Sequence, residues 1–204
     1  IETLPSNGTL LLSGVAVSAG DEISAADITN LVFRPAANAN GSDYDSFTFS
    51  VNDGTADSSS TYTMTVDVDA VNDAPTASDN TVTTNEDTDH TFAASEFGFS
   101  DVDGDSLNHV TIETLPSNGT LLLSGVAVSA GDEISAADIT NLVFRPAANA
   151  NGSDYDSFTF SVNDGTADSS STYTMTVDVD AVNDAPTVVD DTDSVTEGGT
   201  VTET

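Results

Sequence analysis

The chain has 204 residues, with 35 acidic side chains against two arginines and a net charge of −33. Such a balance disfavours nucleic acid and anionic membrane surfaces as partners, because phosphate binding needs a basic footprint, and it attracts cations instead. There is no cysteine, so neither disulfide staples nor thiol chemistry are available, and no apolar run approaches the ~18 residues that a membrane span needs.

Residues 1–76 recur letter for letter as residues 112–187, an offset of 111 residues. A repeat of that size matches one independently cored domain, and identical copies mark a tandem array. Taking Ala74-Pro75 as a boundary divides the chain into three parts. Residues 1–74 are a repeat lacking its N-terminal strands, 75–185 are a complete repeat, and 186–204 begin a further, divergent one. The chain reads as an internal piece of something longer, with no signal peptide in view.

Within the complete repeat, alternation with period two dominates. Strands are expected at 81–84, 91–94, 107–113, 119–124 and 142–145. Phe158, Phe160 and Val162 then share one face, as do Tyr173, Met175, Val177 and Val179 in a strand over 170–180. These are half-buried antiparallel strands with one wet face. Turns fall at Pro116-Ser117-Asn118-Gly119, Asn151-Gly152 and Asn163-Asp164-Gly165. One helical turn is expected at 136–140, capped by Ser135 with Asp138 three residues on. About seven short strands in roughly 100 residues point to an all-β, immunoglobulin-like sandwich. Standing on end, with its longest strand at about 37 Å, a unit adds roughly 40 Å to a rod.

The carboxylates cluster at turns and boundaries. Asp101-Val102-Asp103-Gly104-Asp105 alternates acids around a glycine, which aims several oxygens at one point, as a hard cation requires. An EF-hand is excluded: Ile112 stands where the closing glutamate belongs, and no helices flank the loop. Other clusters are Asp69 to Pro75 with its copy Asp180 to Pro186, Asn85-Glu86-Asp87, and Asp154-Tyr155-Asp156 with its copies Asp43 and Asp45. Asp164 and its copy Asp53 follow the Phe-rich strand. Outside calcium binding, such acids cap turns. His90 and His109 lack partners at zinc spacing and read as exposed strand residues. No Gly-x-Ser-x-Gly and no duplicated histidine support nucleophilic catalysis, and few aromatics are available to bind a sugar, so the chain does not read as an enzyme.

Val-Asn-Asp-Ala-Pro at the boundary, Asn-Glu-Asp-Thr at 85–88 and Asp-Val-Asp-Gly-Asp at 101–105 resemble the cadherin-like tandem repeats of giant bacterial surface adhesins of the VCBS/RTX type. The segments Pro116-Ser117-Asn118-Gly119-Thr120, Val143-Phe144-Arg145-Pro146 and Phe158 to Gly165 fit the same pattern. The resemblance implies Greek-key sandwiches arranged end to end, with Ca2+ at each junction. It implies that Asp43, Asp45, Asn72 and Asp73 meet Asp101, Asp103 and Asp164 at the first junction. At the second, it implies a lower set of Glu86, Asp154, Asp156, Asp180, Asn183 and Asp184. The cadherin linker reads Asp-x-Asn-Asp-Asn, whereas Ala70 and Ala74 replace its outer members here, so fewer than three ions per junction are expected.

The function implied is that of calcium-stiffened extender repeats in a secreted, extracellular adhesin at the cell surface. Their partners would be neighbouring repeats of the same chain, without nucleic acid or membrane insertion. Two alternatives stand beside it. One is a structural filament built from identical chains in a fibre, end to end or by strand donation. The other is a module that adheres to glycans or to its own kind.

Overall fold

The computed structural model describes residues 1–190, 192 and 194–200; the last four residues of the expected third repeat, 201–204, lie outside them. The described chain is all-β, with three short 3-10 turns at Ile28–Asn30, Ala94–Phe97 and Ile139–Asn141. Among the described residues, no helix is long and apolar enough to cross a membrane.

The first copy contributes five strands: β1 (Gly8–Leu12), β2 (Val15–Ala16), β3 (Leu31–Pro35), β4 (Gly41–Phe49) and β5 (Tyr62–Val68). They form a three-stranded sheet in the order β2-β1-β3 and a separate β4-β5 pair. Nine more follow: β6 (Asn80–Asn85), β7 (His90–Thr91), β8 (His109–Ile112), β9 (Gly119–Leu123), β10 (Val126–Ala127), β11 (Glu133–Ser135), β12 (Leu142–Pro146), β13 (Gly152–Asn163) and β14 (Tyr173–Asp180). These build a four-stranded sheet, β10-β9-β12-β7, and a five-stranded sheet, β11-β8-β13-β14-β6.

The two larger sheets close a β-sandwich, because alternate residues of each enter one core. Leu121, Leu142 and Phe144 come from one sheet, and Val110, Phe158, Phe160, Val162, Met175, Val177 and Val179 from the other. The faces inferred from period-two alternation are therefore the buried ones. Phe92 and Phe97 fill the space between the sheets, meeting Phe158 and Phe160 edge-on at centroid distances of 5.6 and 4.9 Å, the geometry that aromatic quadrupoles favour.

Several local expectations are corrected. The long strand begins at Tyr173 rather than at 170, giving eight residues and about 27 Å at ~3.4 Å per residue. Ser169 bonds back to Val162 and Ser171 instead, which holds the preceding turn out of the sheet. The β6–β14 ladder is parallel, from Asn80↔Met175 to Asn85↔Asp180, whereas alternation suggested antiparallel partners throughout. The helical turn sits at Ile139–Asn141, and Ser135 donates its hydroxyl to the Asp138 carboxylate at 2.7 Å rather than capping a helix. The histidines are half-buried. His90 packs on the Phe92 ring at 4.8 Å and reaches Glu96 at 3.3 Å, while His109 bonds Asn108 at 2.9 Å.

Candidate metal centre

The loop 101–105 follows directly from the bridge that ties the linker to the second unit. Thr76 and Ser100 exchange two backbone hydrogen bonds of 2.8 Å each, and the Thr76 hydroxyl adds a third to the Ser100 carbonyl. Gly104 then takes a left-handed φ of 85°, a conformation that glycine adopts without steric cost. That turn folds the loop back on itself, so Asp101 Oδ1 accepts the amides of both Asp103, at 2.8 Å, and Asp105, at 3.2 Å.

Asp101, Asp103 and Asp105 can each offer an oxygen such that all three lie within 4.8 Å of one another. Among the described residues, Asp101 Oδ2 is a buried side-chain oxygen with no hydrogen-bond partner. A buried, unpartnered carboxylate oxygen is costly, and a bound ligand or ion would satisfy it. Hard oxygen donors converging in a small loop suit Ca2+, so the residues present fit that ion.

The linker reaches the same place. The Asp73 amide donates to Asp103 Oδ2 at 2.7 Å, and the Asn72 side chain donates to Asp164 Oδ2 at 2.9 Å. Asp164 Oδ1 meanwhile accepts the amides of Thr166 at 2.6 Å and Ala167 at 2.7 Å. Donation from the Ala167 amide, then from Asn72 and from Thr166, holds the Asp164 carboxyl below the usual aspartate range. Of the residues expected at this junction, Asp101 and Asp103 share one carboxylate cluster, Asp73 reaches it through its backbone amide, and Asn72 is bound to Asp164; the Asp73 and Asp164 carboxylates are not part of that cluster. Asp105, outside the expected ligands, completes the cluster with Asp101 and Asp103, and the alternation around Gly104 is the sequence signal for it.

The acid-x-acid pairs divide. Asp156 is buried, and its oxygens accept the amides of Ser117 (2.9 Å), Asn118 (2.6 Å), Gly119 (2.8 Å) and Ser157 (2.9 Å). Burial pushes its pKa up, but these donors outweigh it and bring the value below normal. Four amides occupy the roughly four lone pairs of a carboxylate, so Asp156 anchors the Pro-Ser-Asn-Gly turn instead of facing a cation. Asp45 does the same for Ser6, Asn7 and Ser46. Asp154 and Asp43 stay exposed in a left-handed bulge, with φ of 47° and 50°, where their amides donate to Asp178 and Asp67, each at 2.7 Å. Among the described residues, no hydrogen bond joins Asp43 or Asp45 to the loop 101–105.

At the far end of the second unit, Glu86 is only 6% exposed. One of its oxygens accepts the Val182 amide at 2.5 Å, the other accepts the Asn151 side chain at 2.9 Å, and its own amide donates to the Asp180 carbonyl at 2.8 Å. Glu86 therefore stands against the second linker. Asn183 donates to its neighbour's carbonyl at Asp184, at 3.1 Å, as Asn72 does to that of Asp73, at 3.0 Å. Asp180 and Asp184 are exposed.

No curated protein shows a match to this chain. Among solved structures, an endo-fucoidan hydrolase of glycoside hydrolase family 107 is 21% identical with a TM-score of 0.32; the similarity covers 88% of this chain and 23% of the enzyme. The family model described as the bacterial Ig domain matches residues 72–179, more than half of the chain and nearly all of the closed sandwich, and the chain belongs to that family.

Proposed function

We propose that these are extender repeats of a bacterial surface adhesin, stiffened by Ca2+ at the junctions between units, extracellular and acting as a spacer rather than as a catalyst. The observation that carries the reading is the buried, unpartnered Asp101 Oδ2 in a loop of three carboxylates, placed where Asn72 and Asp73 of the linker are already bound. Without metal, like charges face each other across a short connection and favour a splayed joint. A cation replaces that repulsion with coordination and fixes the angle. The bacterial Ig domain supports a surface repeat, since such domains are typically non-catalytic, and the absence of lysine and cysteine leaves metal as the available staple.

An affinity of about 10⁻⁴–10⁻³ M is expected, as for extracellular modules. Small-angle scattering of the 204-residue chain, titrated with calcium and then with chelator, tests the proposal. A maximum dimension and a melting temperature that both ignore calcium overturn it.

A further inference from the structure

The linker and the acidic loop meet through one residue. Asp103 is bonded on both sides: its amide donates to Asp101 Oδ1 at 2.8 Å, and its own Oδ2 accepts the amide of Asp73 at 2.7 Å. Two hydrogen bonds therefore separate the linker backbone from the carboxylate that carries the buried, unpartnered Oδ2. The rest of the linker is fixed to the same unit by groups outside the loop. Asn72 is held by Asp164, Pro75 is buried, and Thr76 is bridged to Ser100.

The other carboxylates that an ion shared between units would recruit have different work or a different place. Asp164 accepts the Asn72 side chain and the amides of Thr166 and Ala167, which fills three of the roughly four acceptor sites of a carboxylate. The exposed Asp73 carboxylate is not one of the three that converge; what Asp73 brings to the loop is its N–H. Within the loop, three like charges have oxygens within 4.8 Å of one another. Their mutual repulsion acts on Asp103, which is exposed and can swing outward at the expense of its bond to Asp73. A cation removes that repulsion. Each carboxylate oxygen has two acceptor directions, so Asp103 can face a cation and hold the amide together.

We propose, on the calcium reading above, that the ion is held by the second unit alone, through Asp101, Asp103 and Asp105, and that Asp103 passes its presence to the linker through the Asp73 N–H. Asp73 then contributes a backbone donor and no ligand, and Asp164 serves as the clamp on Asn72. The joint follows a site that lies wholly within one unit, instead of being bridged by an ion shared between two. Binding and joint are linked in both directions: whatever calcium adds to the hold on the linker, the linker adds to the affinity for calcium.

The test uses the full 204-residue chain and two readouts, calorimetric titration with calcium and hydrogen exchange at the Asp73 amide. In the parent chain, calcium should slow exchange at Asp73 about two- to tenfold, the worth of one hydrogen bond. Asp73→Ala removes the carboxylate and keeps the N–H, so calcium affinity should stay within about twofold of the parent, as for one exposed charge. Asp73→Pro removes the N–H as well, and its affinity should fall below that of Asp73→Ala by the factor seen in exchange. Asp103→Asn keeps an acceptor for the amide but loses the charge, and exchange at Asp73 should then ignore calcium. A loss of about tenfold or more in Asp73→Ala would put that carboxylate on the ion and overturn the proposal. Calcium binding that leaves Asp73 exchange unchanged in the parent also overturns it, and both results leave the calcium reading standing. A parent chain that binds no calcium overturns that reading and this proposal together, before any variant is made.

Discussion

Asn72 donates its side-chain amide to the carboxylate of Asp164 at 2.9 Å, joining positions 92 residues apart. The bond runs from a linker to a loop of the following unit, and it is matched by the Asp73 amide on Asp103. Two neutral donors from the linker thus tie down a surface that is otherwise acidic. They bridge the linker to two acidic loops and leave Asp101 Oδ2 without a hydrogen-bond partner among the described residues.

Asp101→Asn separates metal binding from apo stability. In chelator the change removes a charge whose Oδ2 has no partner, while an oxygen remains to accept the Asp103 and Asp105 amides, so the melting temperature should stay level or rise. With calcium at 10 to 100 times its dissociation constant, the parent chain should gain about 1.4–2.7 kcal/mol and the variant much less. Calorimetric titration with calcium and thermal unfolding in both buffers give the answer. Equal calcium gains in parent and variant would remove Asp101 from the site.

Acid should loosen the second unit through Asp156. Its folded pKa lies below the ordinary 3.8 because amide donors outweigh burial. A carboxylate with a depressed folded pKa contributes stability that is complete above the unfolded value and is lost as pH falls through the folded one. The loss should therefore begin near pH 4 and continue below it. Asp156→Ala strands several buried amides and should cost about 2–3 kcal/mol at neutral pH, with a flatter acid limb in denaturant unfolding measured from pH 7 to pH 2.

Alternation made the strands legible because every second residue enters a shared core, as Phe158, Phe160, Met175 and Val177 do. The acidic loop was legible from its spacing around Gly104. The job of Asp156 was not, since its amide donors lie 39, 38 and 37 residues away and only the tertiary fold brings them near. Nor could residues 22–24 and 133–135 be told apart. The latter form β11 by pairing with β8, and the former, with the same text, are not a strand. Local sequence proposes a strand, and a neighbour decides it.

Gly119 and its copy Gly8 give a steric test of the same point. A Cβ on Gly119 would meet the Phe144 ring at 2.2 Å and the Arg145 carbonyl at 2.9 Å; on Gly8 it would meet Phe33 at 2.3 Å and Arg34 at 2.9 Å. Phe144 is fully buried and has nowhere to move, so Gly119→Ala should cost about 1–3 kcal/mol as overpacking does. Phe33 is only half-covered and can swing outward, so Gly8→Ala should cost clearly less. Hydrogen exchange resolved by unit compares the two, and equal losses would mean that the carbonyl clash, common to both, decides.

The methionine pair gives a truncation test of the difference between the two copies. Met175 is fully buried among Val82, Phe158 and Phe160 in the closed core, whereas Met64, in the same sequence context, is 46% exposed. Truncating a buried methionine to alanine removes its transfer free energy and leaves a cavity, about 2–5 kcal/mol. Met175→Ala should fall in that range. Met64→Ala removes contacts that are already half-solvated and leaves no enclosed void, so its cost should stay under about 1 kcal/mol. Amide exchange rates at Phe158 and Phe160 for one variant, and at Phe47 and Phe49 for the other, measure each copy separately. Similar costs at the two sites would show that the first copy closes its core in solution without the segment that closes the second.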